Sequence, residues 1–140
     1  MKARVKWTEG ATFIAESGSG HAIVADGPPE IGGRNLGPRP MELLLMGVGA
    51  CSAVDVVLIL RKSRQAVVDC WVELEADRAE TEPKVFTEIR MKFVVVGRDL
   101  AENHVKRAVE LSAEKYCSAS IMLGRGGVAI RHSYELRELA

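Results

Sequence analysis

Polar and apolar residues alternate through Arg4-Val5-Lys6-Trp7, and a second apolar run spans Thr12–Glu16 beyond the Glu9-Gly10 break. Gly18-Ser19-Gly20 then turns the chain into His21–Asp26, so Met1–Asp26 predicts a short antiparallel sheet of three strands. The stretch Gly27–Pro40, GPPEIGGRNLGPRP, holds four Gly and four Pro and predicts an irregular loop. Pro40 suits the first turn of a helix, where its missing N–H costs nothing. The helix that follows should run to about Lys62, with Arg61, Lys62 and Arg64 complementing its C-terminal dipole. It is apolar round nearly its whole circumference, and such a helix is buried on all sides.

Two long strands with a period of two come next. Val68, Cys70, Val72, Leu74 and Ala76 are expected to face inward, against Asp69, Glu73, Glu75 and Asp77. In the second, Thr87, Ile89, Met91, Phe93 and Val95 oppose Glu88, Arg90 and Lys92, and Glu80–Lys84 joins the two as a hairpin with one wet face. Asp99 and Glu102 predict the capped start of a second helix. Its apolar stripe is Ala101, Val105, Ala108, Val109, Ser112 and Tyr116, and it ends near Cys117. A loop at Gly124–Gly127 leads to a last alternating strand, with Val128, Ile130, His132, Tyr134 and Leu136 inward. The order βββ-α-ββ-α-β does not alternate strand with helix, so the class is α+β and not a doubly wound sheet. One small sheet cannot cover a helix that is apolar all round, so an obligate homodimer is expected.

Composition narrows the function. At 140 residues the chain is expected to be a single domain, 1–140. It has 19 basic and 19 acidic residues and no clustered basic footprint, which argues against a nucleic-acid partner. Residues 41–60 approach membrane-spanning length, but Glu42 and Asp55 lie within them and would be costly in a bilayer, so no membrane association is expected. Met1–Trp7 lacks the apolar segment of a secretion leader, and a cytoplasmic protein is expected. Three cysteines in such a chain do not make a disulfide framework. No CxxC occurs and His21, His104 and His132 stand apart, so neither a metal nor another cofactor is expected.

Cys51 lies mid-helix among Gly47, Gly49, Ala50, Ser52 and Ala53. A free cysteine there is ordinarily a small buried hydrophobe, but the small neighbours leave room for a ligand or another backbone to reach the sulfur. Cys117 is placed at a helix end, less buried by pattern, with Lys115 and Arg125 as electropositive neighbours that would favour thiolate. Cys70 reads as core. Glu42 is either a first-turn acid favoured by the dipole or a carboxylate that orients an arginine or hydrogen-bonds a substrate. Nine residues separate it from Cys51, about 13.5 Å of helical rise, on opposite faces. For both to serve one site, the helix must begin after Glu42 or a second subunit must complete the site. Asp55, one turn after Cys51, would raise the thiol pKa unless it holds a cation or caps a backbone group.

In the segments GPRPMELLLMGVGACSAVDVV and SAEKYCSASIML the chain resembles the OsmC/Ohr superfamily, most closely its YhfA-like branch. The opening MKARVKWTEG, the stretch FVVVGRDL and the closing HSYEL extend the likeness over essentially the whole chain. The resemblance implies an α+β fold with antiparallel sheets around long buried central helices in an intertwined homodimer. It also implies thiol-based reduction of hydroperoxides, organic ones above all. By position Cys51 is then the peroxidatic cysteine, Cys117 the resolving one and Glu42 the partner of an active-site arginine, with a dithiol reductant of lipoyl type. Those peroxidases carry the arginine on the N-terminal strand and turn, where this chain reads Glu16–His21 with no arginine. Arg39, or Arg34 in the same loop, would replace it. The alternative is a non-enzymatic protein that senses redox state or binds a small apolar ligand near Cys51. A blander third reading makes both cysteines structural.

Overall fold

A computed structural model describes all 140 residues, Met1–Ala140. The chain is α+β, with two three-stranded sheets, and divides into two compact units, Met1–Leu44 and Leu45–Ala140.

The first unit is an antiparallel meander of β1 (Ala3–Glu9), β2 (Thr12–Ser17) and β3 (Ala22–Ala25), in the order β1-β2-β3. Thr12, Ala25 and Asp26 are buried, whereas Val5, Trp7 and Ile23 are exposed. The Asp26 carboxylate organises the loop that follows. It accepts hydrogen bonds from the Thr12 hydroxyl and from the backbone N–H groups of Gly27, Arg34 and Leu36. Burial opposes its ionisation, but the bonds from Leu36, Arg34, Thr12 and Gly27 outweigh that cost and hold the carboxyl below its ordinary value. Gly33 is required where the loop folds on itself, because a Cβ there would lie 1.7 Å from the Gly27 carbonyl oxygen.

The long helix α1 (Pro40–Lys62) begins at the end of this unit and continues through the second. It is followed by β4 (Ala66–Arg78), β5 (Phe86–Arg98), α2 (Glu102–Leu111), a π-helical turn (Ser112–Tyr116), α3 (Ser118–Arg125) and β6 (Ala129–Glu138). The second sheet has the order β4-β5-β6. β4 and β5 pair antiparallel, as the hairpin pattern predicts. β6 runs parallel to β5, because the helices between them carry the chain back to the end from which β5 started.

Two bulges change which residues this sheet buries. The β4–β5 register slips between Val67 and Asp69 and again between Asp77 and Arg78. An unpaired extra residue reverses the alternation beyond it. Val68 and Thr87, both expected inward, are therefore exposed, and Phe86 is buried in place of Thr87. Between the bulges Ile89, Met91, Phe93 and Val95 form the core. Val94, on the otherwise polar face, is buried beside its cross-strand neighbour Trp71, whose ring lies 5.1 Å under the Arg137 guanidinium.

Candidate functional site

Only one stripe of α1 is buried by this chain: Val48, Gly49, Ser52, Val56 and Leu60. Their spacing marks a single helical face. Gly49 sets the depth of packing, because a Cβ there would lie 2.7 Å from Leu74 Cδ1 on β4. Cys51 flanks this stripe and is half-buried, while Ser52 is fully buried. Met46, Val54 and Leu58 point away and are 52%, 57% and 49% exposed. The expected burial on all sides is thus met on one side only within the chain.

Helix α2 buries Val105, Ala108 and Val109, and the stripe continues to Ser112. With α-helical spacing the next inward residue would be Tyr116, as its place in the pattern predicts. The π-helical turn changes the phase: the Cys117 N–H bonds the Ser112 carbonyl at 2.9 Å, five residues back. The inward position passes to Cys117, which is 0% exposed, while Tyr116 is 49% exposed with the Lys115 ammonium 5.3 Å above its ring. Cys117 is therefore more buried than its helix-end position predicts, and Lys115 is engaged with the tyrosine.

Cys117 also caps α3, which the sequence pattern does not reveal. Its backbone is extended, at φ −73 and ψ 98, and its sulfur accepts the Ser120 N–H at 3.4 Å. From α1 the Ser52 hydroxyl donates to the same sulfur at 3.0 Å. The thiols of Cys51 and Cys117 are both free and close enough to influence each other's ionisation. The Ala119 N–H in the first turn of α3 favours ionisation of Cys51.

The two sulfurs differ in electrostatics. Burial pushes the Cys51 thiol above its ordinary value, and the Cys117 sulfur and the Asp55 charge push the same way against the Ala119 N–H. Burial also opposes ionisation of Cys117, but bonds from Ser120 and Ser52, together with Cys51, bring it below the ordinary thiol value. Asp55 is held by Ser112, whose hydroxyl donates to its Oδ2 at 3.2 Å and approaches the Ser52 carbonyl at 3.4 Å. Cys70 stands apart on β4 opposite Val95; it is half-buried and its thiol is raised by burial and by Asp69.

The remaining candidates belong to the first unit. Glu42 Oε1 accepts the Arg39 backbone N–H at 2.8 Å, which is the reciprocal half of a capping box at the start of α1. The Arg39 guanidinium instead donates to Asn35 Oδ1 at 2.8 Å and to the Gly37 carbonyl at 3.4 Å. Arg34 pairs with Glu9 at 3.2 Å. Because α1 is continuous from Pro40, the alternative in which it begins after Glu42 is removed. No three His, Cys, Asp or Glu side chains converge in a metal-holding group.

Ser52, Ser112 and Ser120 complete the cysteine cluster and are not distinguished by the sequence pattern. Their only sequence signal is proximity: Ser52 follows Cys51, and Ser118 and Ser120 follow Cys117.

Residues 32–133 match the model of the family described as OsmC-like protein. The chain is 54% identical to Protein YhfA of Escherichia coli strain K12 over 136 residues, covering 97% of this chain and 98% of that one. A crystal structure of a protein from Aquifex aeolicus VF5 superposes with a TM-score of 0.86 at 36% identity, covering 99% of this chain and 97% of that one. One from Legionella pneumophila, titled an organic hydroperoxide resistance protein OsmC and predicted redox protein, gives a TM-score of 0.72 at 21% identity, covering 96% and 95%.

Proposed function

The chain belongs to the OsmC-like protein family, and on that premise we propose that it is a thiol-dependent hydroperoxide reductase of oxidative-stress defence, with Cys51 peroxidatic and Cys117 resolving. The observation that carries this reading is the meeting of two free thiols from distant parts of the chain, one half-buried and one fully buried among hydrogen-bond donors. Buried structural cysteines are inert and need no such shell.

The chemistry follows from the pair. The Cys51 sulfur attacks the outer peroxide oxygen and the O–O bond breaks, giving Cys51 sulfenic acid and an alcohol. The Cys117 sulfur then attacks the Cys51 sulfur, expelling the oxygen as water and closing a disulfide. A dithiol, lipoyl groups being the class the family resemblance implies, restores both thiols by exchange. Glu42 is assigned as the carboxylate by its position in the family pattern, Arg39 as the cation that replaces the arginine missing from Glu16–His21, and the cytoplasm as the compartment. The Legionella relative's description supports an organic hydroperoxide as substrate.

The exposed apolar side chains Met46, Val54 and Leu58 support a homodimer, since a second copy of α1 is an apolar surface of matching length. The same helix is long and apolar enough to cross a membrane by composition, and 28% of its apolar window is buried within the chain. The two carboxyl groups in the segment favour the protein partner.

The test is mass spectrometry after brief exposure to an organic hydroperoxide, with a Cys51–Cys117 disulfide as the expected product. Reduced Cys51 in the presence of excess peroxide rules the reading out. The raised Cys51 thiol favours a second reading, slow oxidation of the pair as a redox signal. It predicts the same disulfide but without multiple turnovers when a dithiol is supplied.

A further inference from the structure

The elements that carry Cys117 also build a cleft that the peroxidase reading does not use. Its volume is about 350 Å³, and it is lined by Lys115 and Tyr116 of the π-helical turn and by Ser118, Ile121, Met122 and Arg125 of α3. Cys117 lies in the chain between Tyr116 and Ser118, and the first turn of α3 meets its sulfur through the Ser120 N–H at 3.4 Å. The walls hold two cations and no acid, although the whole chain has 19 basic and 19 acidic residues. On the second sheet Arg90, Lys92, Arg131 and Arg137 are all paired with carboxylates. Lys115 and Arg125 are not: Lys115 stands over the Tyr116 ring at 5.3 Å, and Arg125 ends α3. Neither is among the main influences on the two sulfurs, so the thiols do not occupy their charge.

This lining suits a molecule with an anionic end and a hydrocarbon stem. Lys115 and Arg125 supply the charge, the Tyr116 and Ser118 hydroxyls supply donors, and Ile121 with the 66% exposed Met122 supplies an apolar wall. We propose that the cleft receives the negatively charged end of the dithiol that reduces the Cys51–Cys117 disulfide, with Lys115 and Arg125 binding that charge. Its position favours the reductant over the peroxide. Peroxide is consumed at Cys51 on α1, and no wall of the cleft belongs to α1. The cleft belongs to the elements of Cys117, which enters the chemistry only when the disulfide forms.

The exchange balances within the pair and the dithiol. One thiolate of the bound dithiol attacks the Cys51 sulfur, the half-buried member of the pair, because Cys117 is 0% exposed. The S–S bond breaks, and Cys117 leaves with the electron pair and takes up a proton. The second thiolate of the dithiol then attacks the reductant sulfur of the mixed disulfide, which releases Cys51 and closes the reductant's own disulfide. Two electrons and two protons pass from the dithiol to the protein. The proposal rests on the reading of Cys51 and Cys117 as a disulfide-forming pair, but not on peroxide as the oxidant.

The test compares two reductants on full-length protein oxidised with diamide, which closes a disulfide without peroxide. Dihydrolipoate and dihydrolipoamide carry the same dithiol and stem, but the first ends in a carboxylate and the second in a neutral amide. At low salt the carboxylate should reduce the wild-type disulfide about three- to tenfold faster than the amide, the range that two exposed ion pairs allow. High salt should bring the ratio towards one. The double variant Lys115→Gln, Arg125→Gln should have a ratio of about one at low salt, and Lys115→Glu, Arg125→Glu a ratio below one. Lys115→Arg with Arg125→Lys, which keeps both charges, should keep the preference. Equal rates for the two reductants in wild type at low salt overturn the proposal, and so does a preference that survives in the double Gln variant. Both outcomes leave the peroxidase reading standing. A disulfide that forms with diamide but not with organic hydroperoxide overturns the peroxidase reading alone, and no Cys51–Cys117 disulfide with either oxidant overturns both.

Discussion

Ser112 donates its hydroxyl hydrogen to Asp55 Oδ2 at 3.2 Å, so the residue that opens the π-helical turn also holds the carboxylate one helical turn beyond Cys51. Its carbonyl receives the Cys117 N–H at 2.9 Å. Ser112 therefore fixes both the charge that acts on one sulfur and the backbone that carries the other.

Asp55 adds to the effect of burial on Cys51. Its negative charge raises the thiol, so Asp55→Asn should increase the thiolate fraction at neutral pH while leaving an acceptor for Ser112. Alkylation of Cys51 at pH 7 should accelerate, by less than the roughly tenfold that a full pKa unit would give. Asp55→Ala, which removes the acceptor as well, should also lose about 1 kcal/mol of stability in urea unfolding. An unchanged alkylation rate in the Asn variant would remove Asp55 from the electrostatics of the site.

Asp26 predicts an acid-dependent loosening of the first unit. A carboxyl held below its ordinary value stabilises the folded state above the unfolded-chain pKa of about 3.9. That contribution is lost as pH falls through the lower, folded value. Asp26→Asn should therefore differ from wild type at neutral pH, and the difference should close below about pH 4. Hydrogen exchange at the Arg34 and Leu36 amides, which the carboxylate binds, is the direct readout. Equal protection in both proteins at pH 7 would show that the loop is held by other contacts.

The sequence pattern reveals the meander, the long helix and the β4–β5 hairpin, because each rests on a periodicity or a spacing, whereas the pairing of Cys51 with Cys117 is what the family resemblance implies. It misses what depends on a single added residue. Nothing in the apolar stripe from Val105 to Tyr116 distinguishes an α turn from a π turn, so the exchange of Tyr116 for Cys117 is invisible. Val68 and Thr87 fail for the same reason at the two bulges. Asp99 fits a capping pattern, yet it lies at φ 50 with its N–H on the Glu138 carboxylate, and α2 starts after Ala101 with no side-chain cap. The helix α3 is short and rich in serine, and the cysteine sulfur that caps it is not among the usual capping groups.

Gly49 predicts a size limit where α1 meets β4. A Cβ at this position would lie 2.7 Å from Leu74 Cδ1, the free end of a flexible side chain. Gly49→Ala should be close to neutral, because the gain in helix propensity of about 1 kcal/mol offsets a small shift of that methyl. Gly49→Val adds three carbons with a fixed rotamer and should cost about 1–3 kcal/mol. In Leu74→Ala the penalty for valine should fall, which a double-mutant cycle in urea would measure. Independent, additive effects would show that the helix and strand do not meet through this pair.

The uncovered side of α1 gives the strongest test of self-association. Val54 and Leu58 are four residues apart on one helical face and are 57% and 49% exposed, yet no polar side chain replaces them there. Apolar side chains of this size contribute about 1.5–3 kcal/mol each when fully buried. A carboxylate placed in their stead at a dry interface would be left without a partner. Val54→Asp and Leu58→Asp should therefore reduce the mass measured by light scattering from that of two chains to that of one, or leave the chain aggregated through its exposed helix. A conservative Leu58→Met should keep the larger mass, since the volume and the apolar character are retained. A wild-type protein that runs as one chain, with both Asp variants equally stable and equally soluble, would show that the face is not an interface between copies.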